Sequence, residues 1–279
     1  MTLKAYKTYF INELAAVVDA TEADYFFFIT LEKLMKLRKI DFATNEITLT
    51  EEQVRKWNGV LTRLKQHEPI QYIFEETFFY GLPFKVSPST LIPRPETEEL
   101  VEWILATLPR EEKLTVLDIG SGSGCIPVTL AKLLPKSRIS GMDISEAALQ
   151  IAQFNANQHQ VNIKWLHQDI LLTETLNDYN VIVSNPPYVR LLEKKEILTN
   201  VLEYEPHLAL FVPDNDPLLF YRKIVHLAAK HLKPSGYLFL EINQYLGKEM
   251  LELFHTTAFK KVELRKDLSG NDRMIKAQL

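Results

Sequence analysis

The first quarter of the chain has the apolar spacing of helices. From residue 2 to about residue 68, apolar side chains recur at steps of three and four, as at Tyr6, Phe10, Leu14 and Val17. This spacing places them on one face of a helix, where they can pack together. We therefore expect a small all-α domain over residues 1–72.

The pattern changes between residues 73 and 95. Aromatic and β-branched residues alternate there with Gly81, Pro83, Pro88 and Pro93. This residue pattern is typical of a short β-hairpin followed by an extended connector. A helix opened by Pro95 is predicted next, from residue 96 to residue 108.

After residue 113, apolar runs alternate with helical stretches. Five runs are predicted to be strands, and a terminal hairpin supplies two more, at 114–119, 138–142, 163–166, 181–183, 237–242, 261–265 and 273–277. Alternation of this kind favours a mostly parallel sheet covered by helices on both faces. The predicted fold class is therefore α/β, with a mostly parallel seven-stranded sheet ending in an antiparallel hairpin, in a domain spanning 96–279.

Composition and charge narrow the classes of function. Hydrophobic residues make up 46% of the 279, and the formal net charge is −4. That charge disfavours binding by broad neutralisation of phosphates. One cysteine excludes an internal disulfide framework, and seven histidines without metal-ligand spacing give no zinc signature. With no export signal or membrane-spanning run visible, we expect a cytoplasmic protein.

A glycine-rich segment, Asp118–Gly124, follows the first predicted strand of the sheet and precedes a helix. Glycines let the backbone turn sharply and approach a ligand closely. Cys125 occupies the position where a dinucleotide fingerprint requires glycine or alanine. The loop therefore favours an adenosyl cofactor without a pyrophosphate, although a turn serving packing alone is the alternative. The residues predicted to bind the cofactor here are Asp118, Gly120, Ser121, Gly122 and Gly124.

Two aspartates stand at the ends of the next two predicted strands. Asp143 can accept hydrogen bonds from both hydroxyls of a ribose, and its alternative role is to cap the helix that begins near Ser145. Asp169 can accept from the amino group of an adenine. Asp118 can accept from the ammonium of a methionine moiety. Nicotinamide and adenosylmethionine sites share the role given to Asp143, so these carboxylates support nucleoside binding without choosing the nucleoside.

Asn185-Pro186-Pro187-Tyr188 follows the fourth predicted strand. The nitrogen of an amide or exocyclic amine is a poor nucleophile, because its lone pair is delocalised. Acceptors directed at its two hydrogens, here the Asn185 side-chain oxygen and the Pro186 carbonyl, would stabilise the charge that develops during alkylation. The prolines stiffen the turn, and Tyr188 offers a ring for stacking. The motif predicts methyl transfer to a planar nitrogen, without a strong base.

Several segments together resemble the peptide-chain release factor glutamine methyltransferases. They are Glu68–Ile73, Leu91–Glu98, Asp118–Gly124, Asn185–Tyr188, Glu205–Leu210 and Asp267–Arg273, so the resemblance runs over nearly the whole chain. It implies a class I methyltransferase fold that uses S-adenosylmethionine without a metal. It also implies methylation of the glutamine amide in the Gly-Gly-Gln motif of release factors, which the helical domain helps to hold.

The resemblance assigns the amide to Asn185 and Pro186, and the cofactor to Gly120, Asp143 and Asp169. We also expect Asn185 to contact the cofactor, and Pro187 and Tyr188 to belong to the substrate site. Release factors are the expected partners of a monomeric enzyme, without stable nucleic acid and without a membrane. One departure is Phe74, where the family commonly has glycine.

Some assignments remain open. Arg94 and Glu96 either order the connector beside the cofactor or cap the following helix, and residues 203–210 form either a loop over the acceptor or a static segment.

The alternative function is a nucleic-acid amino methyltransferase, which shares the Asn-Pro-Pro-Tyr motif. A protein that binds the cofactor without catalysis is less favoured, because such a protein would not need Asn185 to polarise a planar nitrogen. A nicotinamide-dependent oxidoreductase is less favoured because Cys125 interrupts the dinucleotide fingerprint in the glycine-rich loop.

Overall fold

The computed structural model describes residues 1–279. Its α-helices are α1 Leu3–Leu14, α2 Ala20–Met35, α3 Lys39–Thr44, α4 Glu51–Lys65, α5 Ile70–Ile73, α6 Pro95–Thr107, α7 Cys125–Leu133, α8 Glu146–Gln158, α9 Thr199–Tyr204, α10 His207–Leu210, α11 Leu219–His231 and α12 Gly247–Phe254. Its strands are β1 Glu76–Phe79, β2 Leu82–Lys85, β3 Thr115–Ile119, β4 Arg138–Asp143, β5 Ile163–His167, β6 Tyr179–Ser184, β7 Val189–Arg190, β8 Phe211–Val212, β9 Leu232–Glu241, β10 Lys261–Lys266 and β11 Asp272–Gln278. A 3-10 helix covers Leu191–Glu196.

The chain forms two compact units. The helical unit comprises residues 1–75 and 198–204, and the sheet unit comprises residues 76–197 and 205–279. The short helix α9 therefore belongs with the N-terminal helices, although it lies within the stretch predicted as one domain. Its last residue, Tyr204, donates its hydroxyl to the carbonyl of Gln66 at 2.7 Å.

An aromatic cluster forms the core of the helical unit. The ring of Trp57 on α4 lies 5.4 Å from that of Tyr6, 5.9 Å from that of Phe10 and 4.9 Å from that of Phe27. All four side chains are almost completely buried. Of the apolar positions predicted from the three- and four-residue spacing, Tyr6, Phe10 and Leu14 pack in this core, whereas Val17 lies beyond the end of α1 and is only partly buried. Phe74, at the end of α5, has a negative φ of −102°, which any residue adopts.

The sheet has the strand order β10-β11-β9-β6-β3-β4-β5. Only β11 runs antiparallel to its neighbours, and the other pairings are parallel. This confirms the predicted mostly parallel sheet with a terminal antiparallel hairpin. The strand β9 begins at Leu232, before the predicted residue 237, because Leu232 already pairs with Tyr179 ahead of an irregularity in the register.

Both faces of the sheet are covered. Side chains of α6, α7 and α8 pack against one face, and those of α11 and α12 pack against the other. The chain order reverses between β3 and β6, where Ile119 pairs with Ser184. In open α/β sheets, ligands bind beyond the carboxyl ends of the strands at such a reversal. The topology therefore places a site directly after Ile119 and Ser184.

The predicted hairpin is present as β1 and β2, and it packs on the sheet unit. Asn155 on α8 is completely buried. Its side chain accepts from Lys85 N at 2.7 Å and donates to Lys85 O at 2.9 Å and to Ser123 O at 2.8 Å. One amide thus fixes both the end of the hairpin and the glycine-rich loop.

The capping box at the start of α4 provides a test of the helical unit. Thr50 Oγ1 accepts from Gln53 N at 3.2 Å, and Gln53 Oε1 accepts from Thr50 N at 2.9 Å. We expect Thr50→Ala to lower the free energy of unfolding by about 1 kcal/mol in urea denaturation, because the backbone N–H of Gln53 loses its side-chain acceptor. Thr62→Ala, at an exposed position within the same helix, is the control and should change it by less than about 0.5 kcal/mol.

Candidate active site

A cavity of about 340 Å³ lies in the sheet unit beyond the carboxyl ends of β3, β4, β5 and β6. Most of the residues predicted from the sequence line it, each at the end of a strand or in the turn that follows. They are Gly120, Ser121, Gly122, Asp143, Asp169, Asn185, Pro186 and Pro187. Parallel strands end at the same edge of a sheet, so residues far apart in the chain meet here.

The glycine-rich loop depends on a backbone conformation that favours glycine. Gly120 and Gly122 have φ angles of +76° and +53°. A Cβ added to Gly122 would meet no atom within 4 Å, so this glycine borders open space. A Cβ added to Gly120 would lie 3.8 Å from the Asn185 carbonyl oxygen. The loop and the Asn-Pro-Pro-Tyr motif are therefore immediate neighbours.

Asp143 is held by backbone donors. Its Oδ2 accepts from Gly122 N and its Oδ1 from Ser145 N, both at 2.8 Å. Each oxygen retains a further lone pair for a hydroxyl donor. The helix α8 is capped by Ser145, whose hydroxyl accepts from Ala148 N at 3.2 Å, rather than by Asp143. Asp143 is thus oriented in the cavity wall.

Asp169 is fixed in the same way, because its Oδ1 accepts from Leu171 N at 2.8 Å. Ile170 and Leu171 also line the cavity beside it, as do Met142 and Ile144 from the end of β4. Acidic groups at strand ends with apolar neighbours between them form a pocket suited to a flat, partly polar ring.

Three predicted site residues do not line the cavity. Gly124, with a φ of +80°, is required for packing, because an added Cβ would come within 3.0 Å of the Ala152 Cβ. The Tyr188 ring is directed into the protein, and its hydroxyl donates to Glu241 Oε1 at 3.0 Å. Asp118 is completely buried. The structure thus gives Gly124 and Tyr188 roles other than the predicted direct contacts.

The Asp118 carboxylate is electrostatically unusual. Neither of its oxygens has a hydrogen-bond partner. Burial raises its pKa from the ordinary 3.8 to about 7; the neighbouring Ser121 hydroxyl opposes this rise, and the nearby charge of Asp143 adds to it. A buried carboxylate without a partner is costly unless a ligand supplies one.

Asn185 is oriented by its side-chain nitrogen. Asn185 Nδ2 donates to Thr97 Oγ1 at 3.1 Å. No protein donor contacts its Oδ1, so that oxygen remains available as an acceptor in the cavity. Thr97 also lines the cavity. It lies within the segment Leu91–Glu98 that carried the family resemblance, but nothing local to the sequence marked its side chain as part of the site.

Arg94 and the later segment 203–210 meet at the cavity wall. Arg94 Nη2 donates to Glu205 Oε1 at 2.6 Å, and Ile92 N donates to Glu205 Oε2 at 3.1 Å. The Arg94 side chain makes no cap hydrogen bond to α6. Pro206, Leu208 and Ala209 continue along the wall. Of the two roles considered for Arg94, the structure supports ordering of the connector.

Cys125 is buried at the start of α7 and lines the cavity. Burial raises the pKa of its thiol to about 12, to which the Asp118 carboxylate also contributes. A thiol with so high a pKa is not a nucleophile near neutral pH. This agrees with its prediction as a small apolar residue.

Two family models match the chain. One, described as the methyltransferase small domain, covers residues 99–207, and the other, described as the PrmC N-terminal domain, covers residues 9–74. The second match falls entirely within the helical unit.

Curated relatives match over nearly the full length. The release factor glutamine methyltransferase of Flavobacterium psychrophilum is 53% identical, with 99% of each chain covered. The proteins of that name from Bacteroides thetaiotaomicron and Streptococcus pneumoniae are 44% and 41% identical, covering 83% and 95% of this chain and 84% and 94% of their own.

Solved structures share the fold at low identity. A methyltransferase from Pyrococcus furiosus has a TM-score of 0.51 at 16% identity, covering 79% of this chain and 98% of its own. A 16S rRNA methyltransferase from Thermus thermophilus has a TM-score of 0.53 at 22% identity, covering 73% and 49%.

The strand order and the strand-end site define a class I methyltransferase, an enzyme that uses S-adenosylmethionine. The sequence identity of the chain to the curated relatives places it in the release factor glutamine methyltransferase family. No group of three or more His, Cys, Asp or Glu side chains is arranged to hold a metal ion. No helix combines the length and the apolarity that spanning a bilayer requires.

Asp118 leads to a prediction about stability. Its pKa is about 7 in the folded chain, above the ordinary 3.8, so the folded state favours the protonated form. This contribution to stability is complete below pH 3.8 and is lost as pH rises through about 7; the pKa difference corresponds to at most about 4 kcal/mol. Without cofactor, we expect Asp118→Asn to remove this part of the pH dependence and to unfold at a higher temperature than the wild type at pH 8. Equal pH profiles of the melting temperature would contradict the assignment.

Proposed function

We propose that this protein transfers a methyl group from S-adenosylmethionine to the side-chain amide nitrogen of the glutamine in the Gly-Gly-Gln motif of peptide-chain release factors. The observation that carries the proposal is Asn185, whose Oδ1 has no protein donor and whose backbone lies beside Gly120 in the cofactor loop. The names of the full-length relatives support the choice of acceptor.

The proposed chemistry follows from the acceptor nitrogen. A primary amide nitrogen has two hydrogens and a delocalised lone pair. Asn185 Oδ1 and the Pro186 carbonyl accept from those hydrogens, which favours the pyramidal nitrogen and the positive charge of the transition state. Both residues line the cavity, and Pro186 is buried. The methylated nitrogen is strongly acidic and loses a proton to solvent, so a dedicated base is not required.

The cavity residues fit S-adenosylmethionine. This cofactor supplies an electrophilic methyl group on a sulfonium. Asp118, which lies behind the cavity wall, would accept from the ammonium of its methionine part directly or through water, which accounts for a buried carboxylate whose oxygens have no hydrogen-bond partner. Asp143 would accept from the ribose hydroxyls and Asp169 from the adenine amino group. Gly120, Ser121 and Gly122 would allow the backbone to approach closely.

The helical unit is the proposed docking domain for the release factor. We expect the enzyme to act as a monomer in the cytoplasm. Its formal net charge of −4 suits a protein substrate better than a nucleic acid, whose phosphates a cationic surface would have to neutralise.

The choice of substrate can be tested directly. We expect label from methyl-labelled S-adenosylmethionine to enter a purified release factor, and to be absent from a release factor whose Gly-Gly-Gln glutamine is replaced by alanine. Ribosomal RNA and DNA serve as parallel acceptors. Label found only in nucleic acid would refute the proposed acceptor and favour the amino-methylating alternative.

The role of Asn185 can be tested by Asn185→Ala. We expect kcat to fall by roughly 10²-fold or more, because one preorganised acceptor is lost, while the Kd for S-adenosylmethionine changes by less than about threefold. Asn157→Ala, at an exposed position on α8, is the matched control and should leave both unchanged. If Asn185→Ala turns over at the wild-type rate, the assigned role is wrong.

The Asp118→Asn variant adds a measurement of cofactor affinity. We expect it to bind S-adenosylmethionine at least about tenfold more weakly in calorimetry, since a charge-assisted hydrogen bond is lost. A variant that is more stable without cofactor and yet binds the cofactor poorly would distinguish a ligand-binding carboxylate from one that only supports the fold.

A further inference from the structure

A buried chain of hydrogen bonds lies behind Asn185. Asn185 Nδ2 donates to Thr97 Oγ1 at 3.1 Å, and Thr97 Oγ1 donates to Glu241 Oε2 at 2.6 Å. Glu241 Oε1 accepts from the Tyr188 hydroxyl at 3.0 Å. Thr97 is 3% exposed and Glu241 is 1% exposed. The chain therefore begins at the motif, passes through two buried side chains and returns to the motif.

Three elements bring these residues together. Thr97 is in the first turn of α6, and Glu241 is the last residue of β9. The strand β9 is the parallel neighbour of β6, with Leu240 opposite Ser184. Glu241 and Asn185, which each follow one of these paired residues, are therefore adjacent at the sheet edge. The contact from Thr97 to Glu241 spans 144 residues of sequence.

The Glu241 carboxylate receives two hydroxyl donors and lies in the field of a cation. Burial raises its pKa, and the hydrogen bonds from Thr97 and Tyr188 and the charge of Arg273 oppose that rise. Arg273 is itself paired with Asp267, with Nε 3.1 Å from Oδ2. Both oxygens of Glu241 act as acceptors in this arrangement, Oε2 from the Thr97 hydroxyl and Oε1 from the Tyr188 hydroxyl.

These donors and acceptors determine which way the Asn185 amide faces. A hydroxyl has one proton, and that of Thr97 is directed to Glu241. Only lone pairs of Thr97 Oγ1 then remain for Asn185, so the amide must present its nitrogen to Thr97. The flipped amide would set its oxygen against the Thr97 oxygen with no proton between them, and would turn its N–H groups toward the acceptor.

On this geometry we propose that Thr97 and Glu241 are positioning residues, which act through Asn185 to hold its side-chain oxygen toward the nitrogen that is methylated. The inference rests on the proposed function, because it assigns a consequence for turnover to the orientation of Asn185. It also accounts for the Tyr188 hydroxyl, which completes the coordination of Glu241 instead of lining the cavity.

The test is Thr97→Val, which keeps the shape of the side chain and removes its hydroxyl. We expect kcat for methylation of a release factor to fall on the order of 10- to 100-fold, the scale of a misplaced catalytic group. The KM for S-adenosylmethionine should change by less than about threefold. Thr97→Ser, which restores a hydroxyl, should recover most of the lost rate. Thr107→Val, on the same helix, is the matched control and should behave as the wild type.

A double-mutant cycle separates positioning from a general structural effect. If Thr97 acts through Asn185, Thr97→Val should cause no further loss of rate in an Asn185→Ala background. A loss of the same size in both backgrounds would overturn the proposal. Thermal melts of each variant show whether a loss of rate is caused by unfolding. If valine at position 97 disturbs the packing, Thr97→Ala is measured in place of Thr97→Val.

A measurement without substrate keeps the two proposals distinguishable. In nuclear magnetic resonance spectra, the Asn185 side-chain amide hydrogens should be protected from exchange in the wild type and in Thr97→Ser, and should lose protection in Thr97→Val. Protection without methylation of release factors would overturn the proposed function alone. Wild-type turnover and protection in Thr97→Val would overturn the positioning role alone.

Discussion

The parallel pairing of β3 with β6 is the constraint on which the site depends. These strands are separated by more than fifty residues, yet Ile119 lies opposite Ser184. The next residues along the two strands are Gly120 and Asn185, so the same register that completes the sheet sets the cofactor loop against the motif proposed to hold the acceptor. A shift of one residue in a parallel strand reverses its side-chain directions and would disrupt the core and the site together. Catalytic geometry and fold stability are therefore linked in this pair.

Two buried carboxylates near these paired strands differ in their hydrogen bonding. By strand alternation, Asp118 and Glu241 both face the side of the sheet covered by α6, α7 and α8. Glu241 is satisfied inside the protein by two hydroxyls, whereas Asp118 has no partner. The first arrangement favours rigidity, and the second, under the proposed function, leaves a carboxylate for the ammonium of the cofactor at the expense of stability. Such a contrast is typical of sites in which one charge organises the protein and another receives a ligand.

The sequence was sufficient for features that depend on local pattern. The strand ends and the glycine-rich loop follow from neighbouring residues, and both are present. Contacts between distant segments were not predictable in this way. Glu241 has the appearance of an ordinary polar residue closing a strand, and only the three-dimensional arrangement of β9 and α6 shows that it meets Thr97. The inward direction of the Tyr188 ring and the packing role of Gly124 against Ala152 likewise depend on tertiary neighbours that a motif does not specify.

The membership of α9 in the helical unit has a consequence for the architecture of the chain. The polypeptide leaves the helical unit after residue 75, re-enters it at residue 198 and leaves again after residue 204. The two units are thus joined by three covalent crossings, so no single cut in the chain yields two separate complete units. Removal or exchange of the N-terminal helices by recombination at one point would leave α9 without the unit to which it belongs. An exchange of the complete helical unit would therefore have to replace residues 1–75 and 198–204 together.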